Sequence, residues 1–147
     1  DPRWWLAFGV VCGLGLMNKV GMAFFGGALV VAMAATPLRR EFLRPQLYIG
    51  GAIAALMFLP YVFWMYAHDW APFEFMHNAS TRKNADTNPL KFFIELIITM
   101  NPFYAPIWIG GLAYLALGKG VRAYRPFAII WVVLFLFYSL QNGKPYY

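Results

Sequence analysis

Charge is what this sequence has least of. Only 12% of its 147 residues are Asp, Glu, Lys or Arg, where a soluble domain carries about 25%. Acid is the scarcer sign, six residues against twelve basic ones. The single cysteine, Cys12, sits inside an apolar run and has no internal partner. A disulfide-stapled secreted scaffold is therefore excluded. Two histidines, His68 and His77, are too far apart and lack a supporting Cys or carboxylate pattern, so no metal set follows from spacing. "GKG" at 118–120 lacks the spacing of a phosphate loop, and no Ser/His/Asp arrangement stands out. No cleavable leader is visible ahead of "DPRWW", which suggests an internal piece of a longer protein.

What is present in excess is apolar surface, with 61% of residues hydrophobic and 20% aromatic. A chain this small leaves a large share of its surface outside any core. That much apolar surface needs lipid to cover it. The expected fold class is all-α, a polytopic transmembrane helix bundle of about five spans, forming a single transmembrane region over 1–147. The net charge of +6 lies in short basic clusters between apolar runs, which is the pattern of membrane-face loops and not of a nucleic-acid surface.

Trp4 to Pro37 is almost wholly apolar, and as one helix it would run roughly 50 Å at 1.5 Å per residue. The hydrocarbon core is about 30 Å thick. The run must fold back, and Asn18-Lys19 is its one polar break. Spans are therefore expected over roughly 4–17 and 21–37. A third follows at about 47–66, where Pro60 should kink the helix or end its regular part. A polar outer loop is expected at about 67–90, then an interfacial helix to about Met100, a span over about 102–117, and a last span over about 127–140. Lys91 and Glu95 have the spacing of a helical ion pair.

Seven basic residues (Arg3, Arg39, Arg40, Arg44, Lys119, Arg122 and Arg125) then fall on one face, with only Asp1 and Glu41 as acids. The positive-inside rule makes that face cytoplasmic. Lys19, His77, Arg82 and Lys144 fall on the other. Two readings of Lys19 and Lys144 remain open. The ammonium groups snorkel to headgroups while Tyr146 and Tyr147 act as aromatic-belt residues, or several cations converge on an anionic headgroup with the tyrosine hydroxyls as added donors. Gly9 and Gly13, spaced G-x-x-x-G, point to close helix packing.

Four stretches in order, "GVVCGLGLMNKVGMAFFGGALV", "RREFLRPQLYIGGAIAALMFLPYVFWMYAHDWAPFEFMHNAS", "NPFYAPIWIGGL" and "YSLQNGKPYY", resemble the middle of glycosyltransferase family 39. This family includes the dolichyl-phosphate-mannose protein mannosyltransferases and the lipid-A aminoarabinose transferases. The resemblance implies a GT-C helix bundle that transfers a sugar from a polyprenyl-phosphate carrier to an acceptor at the non-cytoplasmic face of a bacterial inner membrane. It also implies that the essential acidic residue lies upstream of this stretch, that no divalent metal is called for here, and that the stretch is inactive alone. Lys19 matches the lysine of the family's L-T-K-G-like turn, with Asn18 where Thr is common. Lys144, Tyr146 and Tyr147 match the segment thought to face the carrier phosphate, and His77 and Arg82 fall near an outer-loop His/Arg pair. Two other classes compete. A secondary transporter would need ionisable residues near mid-bilayer, and a non-catalytic membrane subunit would be held by small-residue packing.

Overall fold

The computed structural model describes residues 1–82 and 88–140, with side chains at 76 and 79–82 outside that description. Among the described residues the structure is helical: α1 Trp4–Asn18, α2 Met22–Ala34, α3 Pro45–Ala67, α4 Ala71–Arg82, α5 Pro89–Thr99, α6 Ala105–Leu117 and α7 Arg125–Leu140. Short 3-10 turns lie at Pro37–Leu43, Pro102–Tyr104 and Arg122–Tyr124. Prolines open several of these elements, Pro45 for α3, Pro89 for α5 and Pro106 for α6. A proline in the first turn gives up no helical hydrogen bond and already has the right φ. The helices gather into two compact units, Asp1–Glu74 and Phe75–Tyr147.

In the first unit α1 lies directly against α3, and glycine makes the approach possible. A Cβ added at Gly9 would collide with the Gly50 carbonyl and lie 2.7 Å from Gly50 Cα. One added at Gly13 would lie 2.7 Å from Met57 Sδ and 3.3 Å from Ala54 Cα. Positions rise together along both helices, so α1 and α3 run parallel. The expected role of Gly9 and Gly13 in close packing is what the structure shows. The chain does fold back at Asn18-Lys19, because Leu29, Val30 and Met33 of α2 line one cavity with Trp5 and Gly9 from the start of α1. Ala28, Ala32 and Met33 are the buried face of α2.

The cationic end of this unit is tied by side-chain hydrogen bonds. Thr36 Oγ1 donates to the Ala32 carbonyl at 2.8 Å, closing the end of α2. The chain then bends by 108° into Pro37–Leu43. Trp5 Nε1 donates to Glu41 Oε2 at 2.9 Å, and Glu41 Oε1 pairs with Arg44 Nε at 3.0 Å. Tyr48 OH donates to the Phe42 carbonyl at 2.8 Å.

The second unit is closed by rings. Phe135 of α7 meets Phe92 and Phe93 of α5 edge-on at 5.6 and 5.9 Å, and stacks on Trp131 at 5.2 Å. Trp108 of α6 bridges Phe93 and Trp131. Offset and edge-to-face pairs at these distances are the favoured ring geometries. Early α6 thus meets later α7, while Ala116 lies beside Arg125 and Ala128. These two helices run antiparallel, with Lys119, Arg122 and Arg125 at one end and α5 at the other.

Of the two outcomes expected at Pro60, an end to the helix is not found: α3 continues as one helix to Ala67. Within the segment expected as an outer loop, Ala71–Arg82 is helical. Lys91 and Glu95 form no ion pair, whereas Arg44 and Glu41 do, at 3.0 Å. Two helices have the length and composition to cross a membrane, Pro45–Ala67 and Arg122–Leu140, or up to four if each bent pair counts as one span. At 13 to 15 residues, α1, α2 and α6 are about 20–23 Å long, less than the hydrocarbon thickness of about 30 Å. Large apolar side chains face outward throughout, Phe103 at 88% and Leu43 at 86% exposure among them.

Candidate functional site

Lys19 is the sequence-nominated residue whose surroundings are best described. Helix α1 stops there because Lys19 turns to extended backbone (φ −148°, ψ 120°), and its N–H donates to the Gly15 carbonyl at 2.8 Å. The Lys19 carbonyl accepts from Met22 N–H at 3.0 Å, which starts α2. The side chain is exposed and has no acidic partner among the described residues.

The depth of Lys19 follows from helix register. Gly13 sits level with Ala54 and Met57 of the parallel α3. Six residues further, Lys19 is level with about Pro60–Phe63, while α3 continues to Ala67. At 1.5 Å per residue Lys19 lies about 10 Å short of His68 along the helix axis. The Lys19 backbone is therefore set back from the end of α3.

That end of α3 is aromatic. Phe58, Tyr61, Trp64 and His68 follow each other three and four residues apart on one face of α3. Centroid separations are 5.3 Å, 5.7 Å and 4.4 Å in turn, and the last two pairs are stacked. His68 Nδ1 lies 2.8 Å from the Trp64 carbonyl oxygen. A carbonyl only accepts, so that bond puts the proton on Nδ1. Asp69 and Trp70 then take left-handed backbone, φ 51° and 57°, and Trp70 N–H donates to the Met65 carbonyl at 2.9 Å. Two successive non-glycine residues in this region are held there by the surrounding structure. Sequence reading passed over the ladder, although its helical spacing is visible once α3 is known to run unbroken past Pro60.

The remaining candidates are less informative. His77 is exposed on α4, in the second unit. Arg82 is the last residue of α4, and its side chain lies outside the described residues. Lys144, Tyr146 and Tyr147 also lie outside them; α7 brings the chain as far as Leu140, back toward the α5 end of its unit. A cavity of about 440 Å³ opens among Trp5, Cys12, Met33, Phe42 and Gly51, at the cationic end of α1 and away from Lys19. Its walls are apolar, which suits a hydrocarbon and not a reacting phosphate. No group of three or more His, Cys, Asp or Glu comes together among the described residues.

Comparison with known proteins shows what the chain is similar to. Residues 1–64 match the family model described as dolichyl-phosphate-mannose-protein mannosyltransferase. Two curated relatives, both from Pseudomonas fluorescens, align with 95% of the chain. They are undecaprenyl phosphate-alpha-4-amino-4-deoxy-L-arabinose arabinosyl transferase 2, at 31% identity, and transferase 1, at 29%. The chain spans about a quarter of the length of each, 25% and 27% respectively. No solved structure matches. The chain, helical among its described residues and with outward apolar surface, is similar over residues 1–64 to the dolichyl-phosphate-mannose-protein mannosyltransferase family and over 95% of its length to these two transferases.

Proposed function

We propose that this chain is the carrier-binding part of a membrane glycosyltransferase that moves a sugar from a polyprenyl-phosphate carrier to an acceptor at the non-cytoplasmic face. One observation carries the reading. Lys19 presents an ammonium with no ion-pair partner among the described residues, at the arginine-free end of its unit, its backbone about 10 Å short of the end of α3. A polyprenyl phosphate has the same layout, with its anionic head at the interface and its isoprenoid tail among apolar helices. The names of the two relatives, both undecaprenyl-phosphate transferases, support the carrier class.

In this reading Lys19 of the first unit contacts the carrier phosphate, and the family resemblance gives Lys144, Tyr146, Tyr147, His77 and Arg82 the same class of role by sequence. Displacement at the anomeric carbon leaves the lipid phosphate with the bonding electrons. Charge on that phosphate rises in the transition state, so a fixed cation aimed at it lowers the barrier. Losing one comparable electrostatic contact elsewhere costs about 2.7–4 kcal/mol. The carboxylate that activates the acceptor comes from the rest of the protein.

The test compares polyprenyl-phosphate binding by native mass spectrometry in the whole protein, as wild type, Lys19→Ala and Lys144→Ala. A loss of about tenfold, about 1.4 kcal/mol, in either variant is expected. Equal binding in all three returns both lysines to snorkelling. A wild type that binds no polyprenyl phosphate rejects the transferase reading itself.

A further inference from the structure

We propose that the cationic end of α6 and α7 holds an anionic phospholipid of the surrounding membrane, with its phosphate on Arg125 and an acyl chain in the groove below. A cavity of about 330 Å³ lies there, lined by Ala116 of α6 and by Arg125, Ala128, Ile129, Val132 and Val133 of α7. Five of the six lining residues are alanine or branched aliphatics; the one polar group is a guanidinium. Arg125 Nε is buried and has no hydrogen-bond partner among the described residues. A buried donor of this kind demands an acceptor.

This stretch of chain cannot supply that acceptor as a carboxylate. No Asp or Glu occurs anywhere after Glu95, and Glu95 lies on α5, at the opposite end of the unit. Lys119 and Arg122 are exposed at the same end as Arg125 and add to the uncompensated charge. A guanidinium offers a planar fork of donors that suits phosphate oxygens. Inorganic phosphate would satisfy the fork but not the aliphatic walls. A phospholipid satisfies both. The groove descends from Arg125 to Val133, eight residues or about 12 Å of helix, which is the path an acyl chain takes away from the headgroup. It opens onto Val132, which is 44% exposed. Basic pockets between transmembrane helices select anionic over zwitterionic headgroups, since both carry phosphate but only the former keep a net negative charge. The inference depends on membrane embedding alone and not on the transfer reaction.

The experiment releases the whole protein from nanodiscs of mixed phosphatidylglycerol and phosphatidylcholine and counts retained lipids by native mass spectrometry. Wild type is expected to retain phosphatidylglycerol preferentially. Arg125→Gln should reduce that retention about tenfold, whereas Arg40→Gln, at a different basic cluster, should leave most of it. Val132→Trp, which fills the groove but keeps the guanidinium, should lower retention of the same lipid. Preferential retention in wild type needs no variant to fold, and its absence overturns the proposal. So does equal retention by wild type and a folded Arg125→Gln, which would assign the guanidinium to an acidic side chain elsewhere in the protein.

Discussion

Substitution at Gly9 tests the α1–α3 seam on which the depth of Lys19 rests. A methyl group at Gly9 would strike the Gly50 carbonyl and lie 2.7 Å from both Gly50 C and Gly50 Cα. The obstacle is backbone on both sides, so no rotamer change relieves it and the helices must separate. Overpacking of this kind costs about 1–3 kcal/mol. Replacing a helical glycine by alanine also gains about 0.5–1 kcal/mol in backbone entropy. Gly51→Ala isolates the clash, because it sits next to Gly50 on the same helix and a Cβ there meets nothing within 4 Å. Both variants share the entropic gain, so their difference is the clash alone, about 1–3 kcal/mol or roughly 5- to 150-fold in the unfolding equilibrium. Unfolding of the whole protein in mixed micelles with increasing dodecyl sulfate measures it. If Gly9→Ala and Gly51→Ala unfold together, the parallel seam is wrong, and the register that places Lys19 fails with it.

Two further outcomes follow from the cationic end. Trp5→Phe and Glu41→Gln should be non-additive in the same assay, with a coupling of about 1–2 kcal/mol, because the indole N–H donates to a charged carboxylate; strict additivity would remove that bond as a tie between α1 and the Pro37–Leu43 turn. In a Cys12→Ser background, cysteine at position 19 should react with an impermeant thiol reagent from outside the cell, and cysteine at position 40 only after permeabilisation. The reverse pattern would invert the topology.

Composition and spacing made much of the architecture legible. Apolar runs separated by basic clusters gave the helices, and Gly9 and Gly13 announced a close approach, though not its partner. Gly50 and Ala54 carry no signal of their own until α1 is set beside α3. The missed features have physical causes. Pro60 reads as a breaker because it removes one backbone donor, yet neighbouring helices commonly carry a membrane helix through such a position. The segment from Ala71 reads as a loop because its polar residues stand among aromatics, a mixture that also makes an amphipathic helix at an interface. Asp69 is of a type that visits left-handed backbone, but Trp70 beside it is not, so the pair was not legible as such. Arg125 read as one more cation of the basic cluster on the cytoplasmic face; only the packing of α6 and α7 shows its Nε enclosed.

Recession of Lys19 separates the two readings of that residue by the sign of a stability change. A lysine at headgroup level that merely snorkels contributes little, and its replacement is close to neutral. One whose backbone lies about 10 Å short of the end of α3, without an ion-pair partner among the described residues, is in a different position. Placing an unpaired lysine toward the centre of a membrane helix costs about 2.5–3.5 kcal/mol on insertion scales, and part of that cost applies at intermediate depth. Lys19→Met keeps the length of the side chain and removes the charge. In the absence of carrier it should therefore stabilise the protein, by about 1 kcal/mol, while polyprenyl-phosphate binding falls about tenfold. Stability gained and binding lost together are the signature of a cation kept for a ligand. Unchanged stability with unchanged binding would describe a snorkelling residue. Loss of stability would show that Lys19 already has an anionic partner elsewhere in the protein, and that the phosphate must be held by other groups.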